Sequence, residues 1–395
     1  MDIRREIIGK NYMYFILVLW FSTEILFNST LEYIFWWEIG AVNQLMAFLV
    51  LGLVFTQIVF FQHYSFRELV ILIVISGPII LGTLNSGNNV MLSTWLLIIS
   101  AKYIDFDDAM KLTYYVLLFF VPLVIYLYFA GIIDEKTAYR GMVVRHSLGF
   151  NHPNWLGIRV FQLVLSRAYL RRNKLNLVDY ILDIIAIYFV YKVPNSQTAY
   201  ILLVIFLIMK ALYDIADLFQ GGRLAFIKFL IGCAAFANVF SIFMSVIDIR
   251  KYYFFKRVDK LLSLRFSWCH RTMKAFGVSL FGKDIELYGR RMNTLYRKFY
   301  MDTAYVAILL RYGIIVFILF SVLYIVTMRY LLKTRNYFLI MILCLYAIYG
   351  IMENTFFSMT QNIFLLALAA PIFNKSLKDE TSLVERGRTR IRIVF

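Results

Sequence analysis

The sequence LAFIKFLIGCAAFANVFSIFMSVI, residues 224–247, is an apolar run interrupted by a single charged residue, Lys228. A run of about 20 mainly apolar residues is long enough to cross a bilayer as one helix. The next segment, residues 248–302, has the opposite character, with 13 Lys and Arg against 5 Asp and Glu. An apolar helix followed by a long basic segment predicts a membrane protein that carries a large polar loop.

The composition extends this interpretation to the whole chain of 395 residues. Hydrophobic residues make up 61% and charged residues 16%, whereas about a quarter of a soluble protein is charged. The mean hydropathy is +0.71. We therefore expect an all-α, polytopic membrane protein with little soluble mass. Its three cysteines are far apart and lack metal-ligand spacing, so neither a disulfide framework nor a metal site is expected.

Twelve apolar segments are candidate membrane spans. They lie near residues 12–27, 40–61, 69–84, 90–101, 112–129, 155–170, 177–193, 198–213, 224–247, 303–326, 337–352 and 362–373. The basic residues Arg4, Arg5 and Lys10 precede the first segment, and no cleavage site follows it, which favours a retained span over a removed leader. This interpretation makes residues 1–373 one transmembrane domain and residues 374–395 a basic cytoplasmic tail.

The distribution of positive charge predicts the orientation, because Lys and Arg in short loops concentrate on the cytoplasmic side. Four short loops carry no Lys or Arg and are assigned to the opposite side, namely residues 28–39, 85–89, 194–197 and 353–361. We therefore place both termini in the cytoplasm and the loops at residues 130–153 and 248–302 outside. A cationic segment outside the membrane indicates an anionic ligand, such as lipid-linked phosphate. The basic tail is expected to lie against anionic lipid.

The loop at residues 130–153 and the start of the next span are rich in hydrogen-bonding side chains. These are Arg140, Arg145, His146, Ser147, Asn151, His152 and Asn154. One interpretation is that the segment 151–154 simply caps the next helix, with Pro153 as its first residue. Capping needs neither Arg145 nor His146, and that pair therefore favours a binding site.

Arg159 lies in the outer half of the sixth apolar segment, and Arg311 lies in the outer half of the tenth. An arginine within a span is energetically costly and usually faces a polar cavity or a partner. One interpretation is that both side chains snorkel to the outer headgroups. The alternative is that both line a cavity for a diphosphate, whose oxygens match the planar guanidinium fork.

The second loop carries Arg265 and Arg271 within residues 261–281, a segment that predicts an amphipathic helix on the outer leaflet. Its remaining basic residues are expected to form a solvated or lipid-facing surface. Asp302 ends the loop and is either the N-cap of the next helix or a carboxylate that faces the site. Glu353, at the end of the eleventh span, presents the same two alternatives.

Several sequence motifs occur in an order that resembles the Wzy-type bacterial polysaccharide polymerases. They are RHSLGFNHPN at 145–154, SQT at 196–198, LSLR at 262–265 with LFG at 280–282, and DTAY at 302–305 with LRYGI at 310–314. The resemblance covers roughly residues 140–365 and includes the outline of twelve spans. The chain departs from it at Gln197 and Thr303, where the polymerases often have arginine and asparagine, and at Leu264, where glycine is common.

The resemblance implies a GT-C-like fold and a glycosyltransferase of the bacterial cytoplasmic membrane. Donor and acceptor would be oligosaccharides linked to undecaprenyl diphosphate, and the enzyme would join these repeat units into a surface polysaccharide without a metal or cofactor. The implied partners are the lipid bilayer and possible chain-length regulator and flippase proteins, and nucleic acid is not among them. O-antigen ligases share this architecture, so a ligase-type glycan transferase is one alternative function. A transporter that flips lipid-linked oligosaccharide across the membrane is the other.

Candidate site residues follow from the chemistry of that reaction. Arginines can stabilise a departing diphosphate in place of a metal. The expected diphosphate-binding set is Arg145, Arg265, Arg159, Arg311, Asn154 and Arg271. A base must accept the proton of the acceptor hydroxyl, and histidine titrates in the useful range. The candidate bases are His152, His146 and the carboxylate of Asp302, with His270 as a further histidine.

Overall fold

The computed structural model describes residues 3–33, 39–172, 176–216, 218–219, 221–285, 299–375 and 377. Within these ranges the chain forms fifteen α-helices and one β-hairpin. The prediction of a helical protein is therefore confirmed. Most of the predicted tail, and residues 286–298 of the second loop with their basic side chains, lie outside the described residues.

The helices alternate with short connections along most of the chain. They are α1 Ile3–Phe27, α2 Ile39–Thr56, α3 Phe66–Ser86, α4 Val90–Ser100, α5 Phe106–Phe129, α6 Pro153–Leu170, α7 Leu177–Lys192, α8 Gln197–Ala216, α9 Gly222–Val246, α10 Tyr253–Leu261, α11 Arg265–Phe276, α12 Ala304–Arg311, α13 Gly313–Lys333, α14 Tyr337–Met352 and α15 Ala369–Ile372. A π-helix at Gln57–Phe61 extends α2, and a 3-10 helix at Ile363–Leu368 precedes α15. The hairpin strands are β1 Ala138–Arg140 and β2 Val143–Arg145.

Five helices in the described part of the chain are long and apolar enough to cross a membrane, namely α3, α5, α8, α9 and α13. Shorter apolar helices occupy Leu45–Phe61, Val90–Tyr103, Tyr337–Met352 and Ile363–Ile372. The lengths and composition of these helices support a membrane protein, as the hydropathy predicts.

The predicted tenth span, residues 303–326, consists of two helices. α12 ends at Arg311, and α13 begins at Gly313, whose φ of +93° lies outside the range used by helices. A Cβ atom at Gly313 would lie 2.3 Å from the carbonyl oxygen of Leu280. The glycine therefore permits close packing of the loop that follows α11 against the junction of α12 and α13. The predicted helix within residues 261–281 is present as α11.

Ion pairs join several helix ends on the basic side of the bundle. Lys102 lies 2.6 Å from Glu68, and Arg172 lies 2.9 Å from Asp107. Lys375 donates to the carbonyl oxygen of residue 101, at the end of α4. The starts of α3 and α5 are thus neighbours of the ends of α4 and α6. Several of the basic loops predicted to share one side are close together in the fold.

The central helix of the bundle is α14, which packs against α8, α9, α12 and α13. All of its residues from 338 to 347 are buried. A helix that is apolar on every face is typical of a core position. Because α14 ends at Met352, this central buried helix leads directly to Glu353.

Candidate functional site

The two loops predicted to be external meet near the end of α14. The starts of α6 and α8 and the end of α14 surround a cavity of about 200 Å³. Its polar lining includes His152, Asn154, Thr198, Glu353, Thr355 and Gln361. We call it the Glu353 cavity. Of the predicted site residues, His152 and Asn154 line this cavity themselves.

Arg145 is the last residue of β2 and lies beside the lining of the Glu353 cavity. It is buried, its Nε donates to the carbonyl oxygen of Pro194 at 3.0 Å, and its Nη2 donates to Oδ1 of Asn154. Burial and the charge of Arg140 lower the pKa of Arg145 to about 10, and the charge of Glu353 opposes them. Arg145 therefore keeps its charge at neutral pH and is fixed in place by its hydrogen bonds.

Arg140 belongs to the same hairpin and is a basic residue absent from the predicted site. Its Nη1 donates to the carbonyl oxygen of Asn195 at 3.1 Å. Burial is the main cause that lowers the pKa of Arg140, and the charge of Arg265 also lowers it. The two guanidinium groups are thus close enough to repel each other. The spacing of five residues from Arg145 was the available sequence signal, because a tight hairpin brings such residues onto paired strands.

Arg265 brings the second loop to the Glu353 cavity. It is the first residue of α11, and its Nη2 lies 3.2 Å from Oε1 of Glu353. Its Nη1 is buried and has no hydrogen-bond partner among the described residues. A buried donor without an acceptor is destabilising. An anionic ligand that reached Nη1 would remove this penalty.

The backbone conformation before Arg265 is unusual at Leu264, the position where the polymerases commonly have glycine. Ser263 and Leu264 have φ values of 60° and 61°, in the left-handed region. A residue with a side chain adopts this conformation at a cost, whereas glycine adopts it freely. Glycine would therefore suit this backbone better than Leu264, the residue that this chain has there.

Glu353 connects α8, α11 and α14 through one carboxylate oxygen. Its Oε1 accepts hydrogen bonds from Oγ1 of Thr198 at 2.7 Å and from Arg265. The sequence left Glu353 either as a helix cap or as a carboxylate that faces the site, and the structure places it in the cavity lining. The sequence signal was that it is the only charged residue in the loop at 353–361, directly after an apolar span.

His152 is the N-cap of α6, and Pro153 is the first helical residue, as one interpretation of this segment predicts. Nδ1 of His152 accepts a hydrogen bond from the backbone N–H of Asn154 at 3.0 Å. Since a backbone amide only donates, Nδ1 is unprotonated and the neutral ring carries its proton on Nε2. Partial burial and the charges of Arg145 and Arg140 lower the pKa of His152. This geometry makes the ring a hydrogen-bond donor at Nε2.

Asp302 is not the N-cap of the following helix, because Thr303 occupies that position. Burial raises the pKa of the Asp302 carboxyl, and the nearby charge of Arg265 opposes this effect. Asn354 donates to the carbonyl oxygen of Met301 at 2.9 Å and so ties this segment to the end of α14. Asp302 is therefore a partly buried carboxylate close to Arg265.

Five predicted residues lie outside the lining of the Glu353 cavity and do not contact it through its described lining residues. They are Asp302, His146, His270, Arg271 and Arg311. Nδ1 of His146 lies 2.8 Å from Oε1 of Glu135, and Nδ1 of His270 lies 3.1 Å from the carbonyl oxygen of Ser245. Arg271 is exposed and stacks on Trp268. Arg311 is at the far end of α12, about 12 Å along the helix from its start.

Arg159 lies one helical turn beyond Trp155, which lines the Glu353 cavity. Its side chain is fully buried, and Nη1 donates to the carbonyl oxygen of Thr360 at 2.8 Å and to Oε1 of Gln162 at 2.9 Å. Nε and Nη2 have no hydrogen-bond partner within the described part of the chain. Full burial argues against snorkelling to a headgroup and favours an internal polar site.

In comparisons with protein-family models, curated proteins and solved structures, none matches this chain. The resemblance to the polymerases therefore rests on the quoted motifs. The site and the helical architecture define a candidate membrane protein with a polar cavity at the end of its central helix, and Arg145 and Arg265 hydrogen-bond to residues of the cavity lining.

Proposed function

We propose that this protein is a glycosyltransferase that polymerises oligosaccharide repeat units carried on undecaprenyl diphosphate. The proposal includes a GT-C-like fold of about twelve spans, both termini in the cytoplasm, and a site on the outer face of the bacterial cytoplasmic membrane. Its chief support is one observation: Arg145 and Arg265, from separate loops, each hydrogen-bond to a residue that lines the Glu353 cavity.

The charge balance at the cavity suits a diphosphate. Three arginines, at positions 140, 145 and 265, interact electrostatically with one another or with Glu353, and Asp302 also interacts with Arg265. Arg265 also has the unpaired Nη1 donor. Guanidinium groups bind phosphate oxygens through paired, charge-assisted hydrogen bonds. A diphosphate would offset the mutual repulsion of the arginines and provide the missing acceptor.

The transfer step then follows from the groups present. An acceptor hydroxyl attacks the anomeric carbon of the donor sugar, and the bond from that carbon to the diphosphate oxygen breaks. The diphosphate leaves with the bonding electrons, and the arginines stabilise its negative charge. Glu353 accepts the hydroxyl proton. Binding of the diphosphate to Arg265 competes with the pair between Arg265 and Glu353, and so frees the carboxylate for this role.

Substitution of the two arginines tests the proposal. We expect Arg145→Ala and Arg265→Ala to abolish long-chain surface glycan, because each removes charge that stabilises the leaving group. Lysine at either position should also impair synthesis, since a point charge lacks the planar fork. Gel profiles of surface polysaccharide from complemented deletion strains provide the measurement. Arg271→Ala is the matched control, because Arg271 is exposed and does not line the cavity.

Glu353→Gln separates binding from chemistry in the same strains. Protein with this substitution should retain pyrophosphate binding but lose glycan synthesis by a factor of about 10² or more, as is typical for loss of a general base. Wild-type glycan from Arg145→Ala and Arg265→Ala would refute the site.

The deletion strain distinguishes the alternative functions. Single repeat units on the carrier, facing outward, would support a polymerase. Complete polymer that is never attached to its final acceptor would indicate a ligase. Repeat units trapped in the inner leaflet would indicate a flippase. Chain-length regulators and flippases are the proposed partners in the first case.

A further inference from the structure

A second and larger cavity lies between α1, α2 and α4. It has a volume of about 400 Å³, within the range of about 300–1,000 Å³ typical of small-molecule sites. Glu24, near the end of α1, lines it, and we call it the Glu24 cavity. The segment at residues 358–360 forms another part of its lining.

The Glu24 cavity is at the same end of the bundle as the Glu353 cavity. The backbone N–H of Asn151 donates to the carbonyl oxygen of Asn28 at 2.9 Å, and its side chain donates to the carbonyl oxygen of Phe27 at 3.2 Å. Phe27 and Asn28 both line the Glu24 cavity. The loop that carries Arg145 is therefore fastened to the helix end that borders this second cavity.

The two cavities share a wall. Thr360 lines the Glu24 cavity, and the adjacent Gln361 lines the Glu353 cavity. Oγ1 of Thr360 donates to Oε2 of Glu24 at 3.3 Å, and its carbonyl oxygen accepts from Arg159, which also interacts electrostatically with Glu24. Only the segment at Thr360 and Gln361 therefore separates the two cavities at this point, and an extended ligand could occupy both.

The lining of the Glu24 cavity differs in kind from that of the Glu353 cavity. Among its described lining residues Glu24 is the only charged one, and none is a lysine or arginine. The remaining polar lining consists of hydroxyl and amide side chains, including Thr23, Asn28, Asn89, Ser93, Thr94 and Thr360. The ring of Trp20 also lines the cavity. A ligand rich in hydroxyl groups would find both donors and acceptors in this lining.

We propose that the Glu24 cavity binds a sugar unit of the glycan, beside the site where the diphosphate is bound. The carboxylate of Glu24 accepts hydrogen bonds from sugar hydroxyls, and the apolar face of the sugar ring packs against Trp20. The proposal rests on the proposed glycosyltransferase function and assigns to this cavity the recognition of the carbohydrate part of a substrate.

Binding measurements on the full-length protein in lipid nanodiscs test this assignment. The probe is a repeat-unit oligosaccharide, prepared from the surface polysaccharide of the host and free of lipid and phosphate. We expect saturable binding to the wild type, detected by saturation-transfer NMR. Glu24→Gln should weaken it about tenfold, because hydrogen bonds to a charged acceptor are stronger than those to a neutral amide.

A second variant distinguishes loss of binding from loss of folding. Ala47 lines the Glu24 cavity from α2, so Ala47→Phe fills the space without touching the contact between Glu24 and Thr360. It should abolish oligosaccharide binding in protein that remains monodisperse. Absence of oligosaccharide binding to the wild type, or unchanged binding in both variants, would overturn the proposal. A phospholipid found by native mass spectrometry in the wild type, and missing from Ala47→Phe, would also overturn it and indicate a lipid site.

Pyrophosphate binding separates this proposal from the proposed function. Arg145→Ala should lose pyrophosphate binding and keep oligosaccharide binding, and Glu24→Gln should show the reverse. If the wild type binds oligosaccharide but not pyrophosphate, the diphosphate site is wrong and the sugar site stands. If it binds pyrophosphate and Glu24→Gln leaves oligosaccharide binding unchanged, only the sugar site is wrong.

Discussion

His152 shows how one hydrogen bond changes the role expected of a side chain. The titration range of histidine and the position of His152 in the loop favoured a role as general base, which needs a free imidazole lone pair. The lone pair on Nδ1 instead accepts the backbone N–H of Asn154. To act as a base through that nitrogen, the ring would have to give up the cap of α6. Glu353 is then the better candidate, because its carboxylate lines the cavity.

The cap can be tested by substitution of His152. Asparagine is a strong N-cap residue, so His152→Asn should retain the stability of the wild type. His152→Ala should lower the free energy of unfolding by about 1 kcal/mol, the usual cost of a lost cap. Denaturant unfolding in detergent micelles measures the difference. Equal losses in both variants would mean that the ring stabilises the protein by packing and not as a cap.

The turn between α10 and α11 determines where Arg265 lies. Asp259 accepts the backbone N–H of Phe266 at 2.9 Å, which links the two helices across the turn. Ser263 and Leu264 supply the left-handed residues that reverse the chain. The side chain of Leu264 is 46% exposed, so its packing contributes little that would compensate for the strain.

Leu264→Gly should therefore stabilise the protein. Relief of a left-handed conformation is worth about 1–2 kcal/mol, partly offset by the flexibility of glycine in the unfolded chain. We expect a net gain of up to about 1 kcal/mol, measured as a rise in the unfolding midpoint. Lys256→Gly is the matched control, because Lys256 is exposed and lies inside α10, and glycine there should destabilise by about 1 kcal/mol. A loss of stability in both variants would contradict the strain argument.

Across the bundle as a whole, one buried lysine connects the last described residues to the end of α4. At the basic side, Lys375 reaches back across more than 270 positions to the carbonyl oxygens of Ala101 and Ile104. Burial lowers the pKa of Lys375 to about 8, with the charge of Asp105 opposing the shift. The contact closes the described chain onto the end of α4.

This buried lysine predicts a pH dependence of stability. The folded protein releases the Lys375 proton near pH 8, whereas the unfolded chain keeps it up to about pH 10.5. Because the unfolded state binds more protons in this interval, the free energy of unfolding should rise with pH between about 8 and 10.5. Thermal unfolding of the wild type and of Lys375→Met across this interval provides the measurement.

The control for this pH dependence is Lys333→Met, since Lys333 is exposed at the end of α13. It should show the same pH dependence as the wild type, and Lys375→Met should lack the increment. An identical profile for all three proteins would show that Lys375 is not the titrating group.

Local properties of the chain were sufficient for much of this architecture. Hydropathy and length depend on residues that are adjacent in sequence, so they predicted a helical membrane protein and most of its apolar segments. Composition also singled out the two loops that contain Arg145 and Arg265. The β-hairpin and the break at Gly313 were not predicted, because both depend on backbone turns and on contacts with distant segments.

The grouping of site residues depended on tertiary contacts. Arg265 and Glu353 are 88 positions apart, and no pattern of spacing indicates that they pair. The participation of Arg140, the capping role of His152 and the wall shared by the Glu24 and Glu353 cavities likewise arise only when the helix ends are packed together. Hydrophobic burial is non-directional and assembles the bundle from local signals, whereas hydrogen bonds and ion pairs require a particular partner at short range.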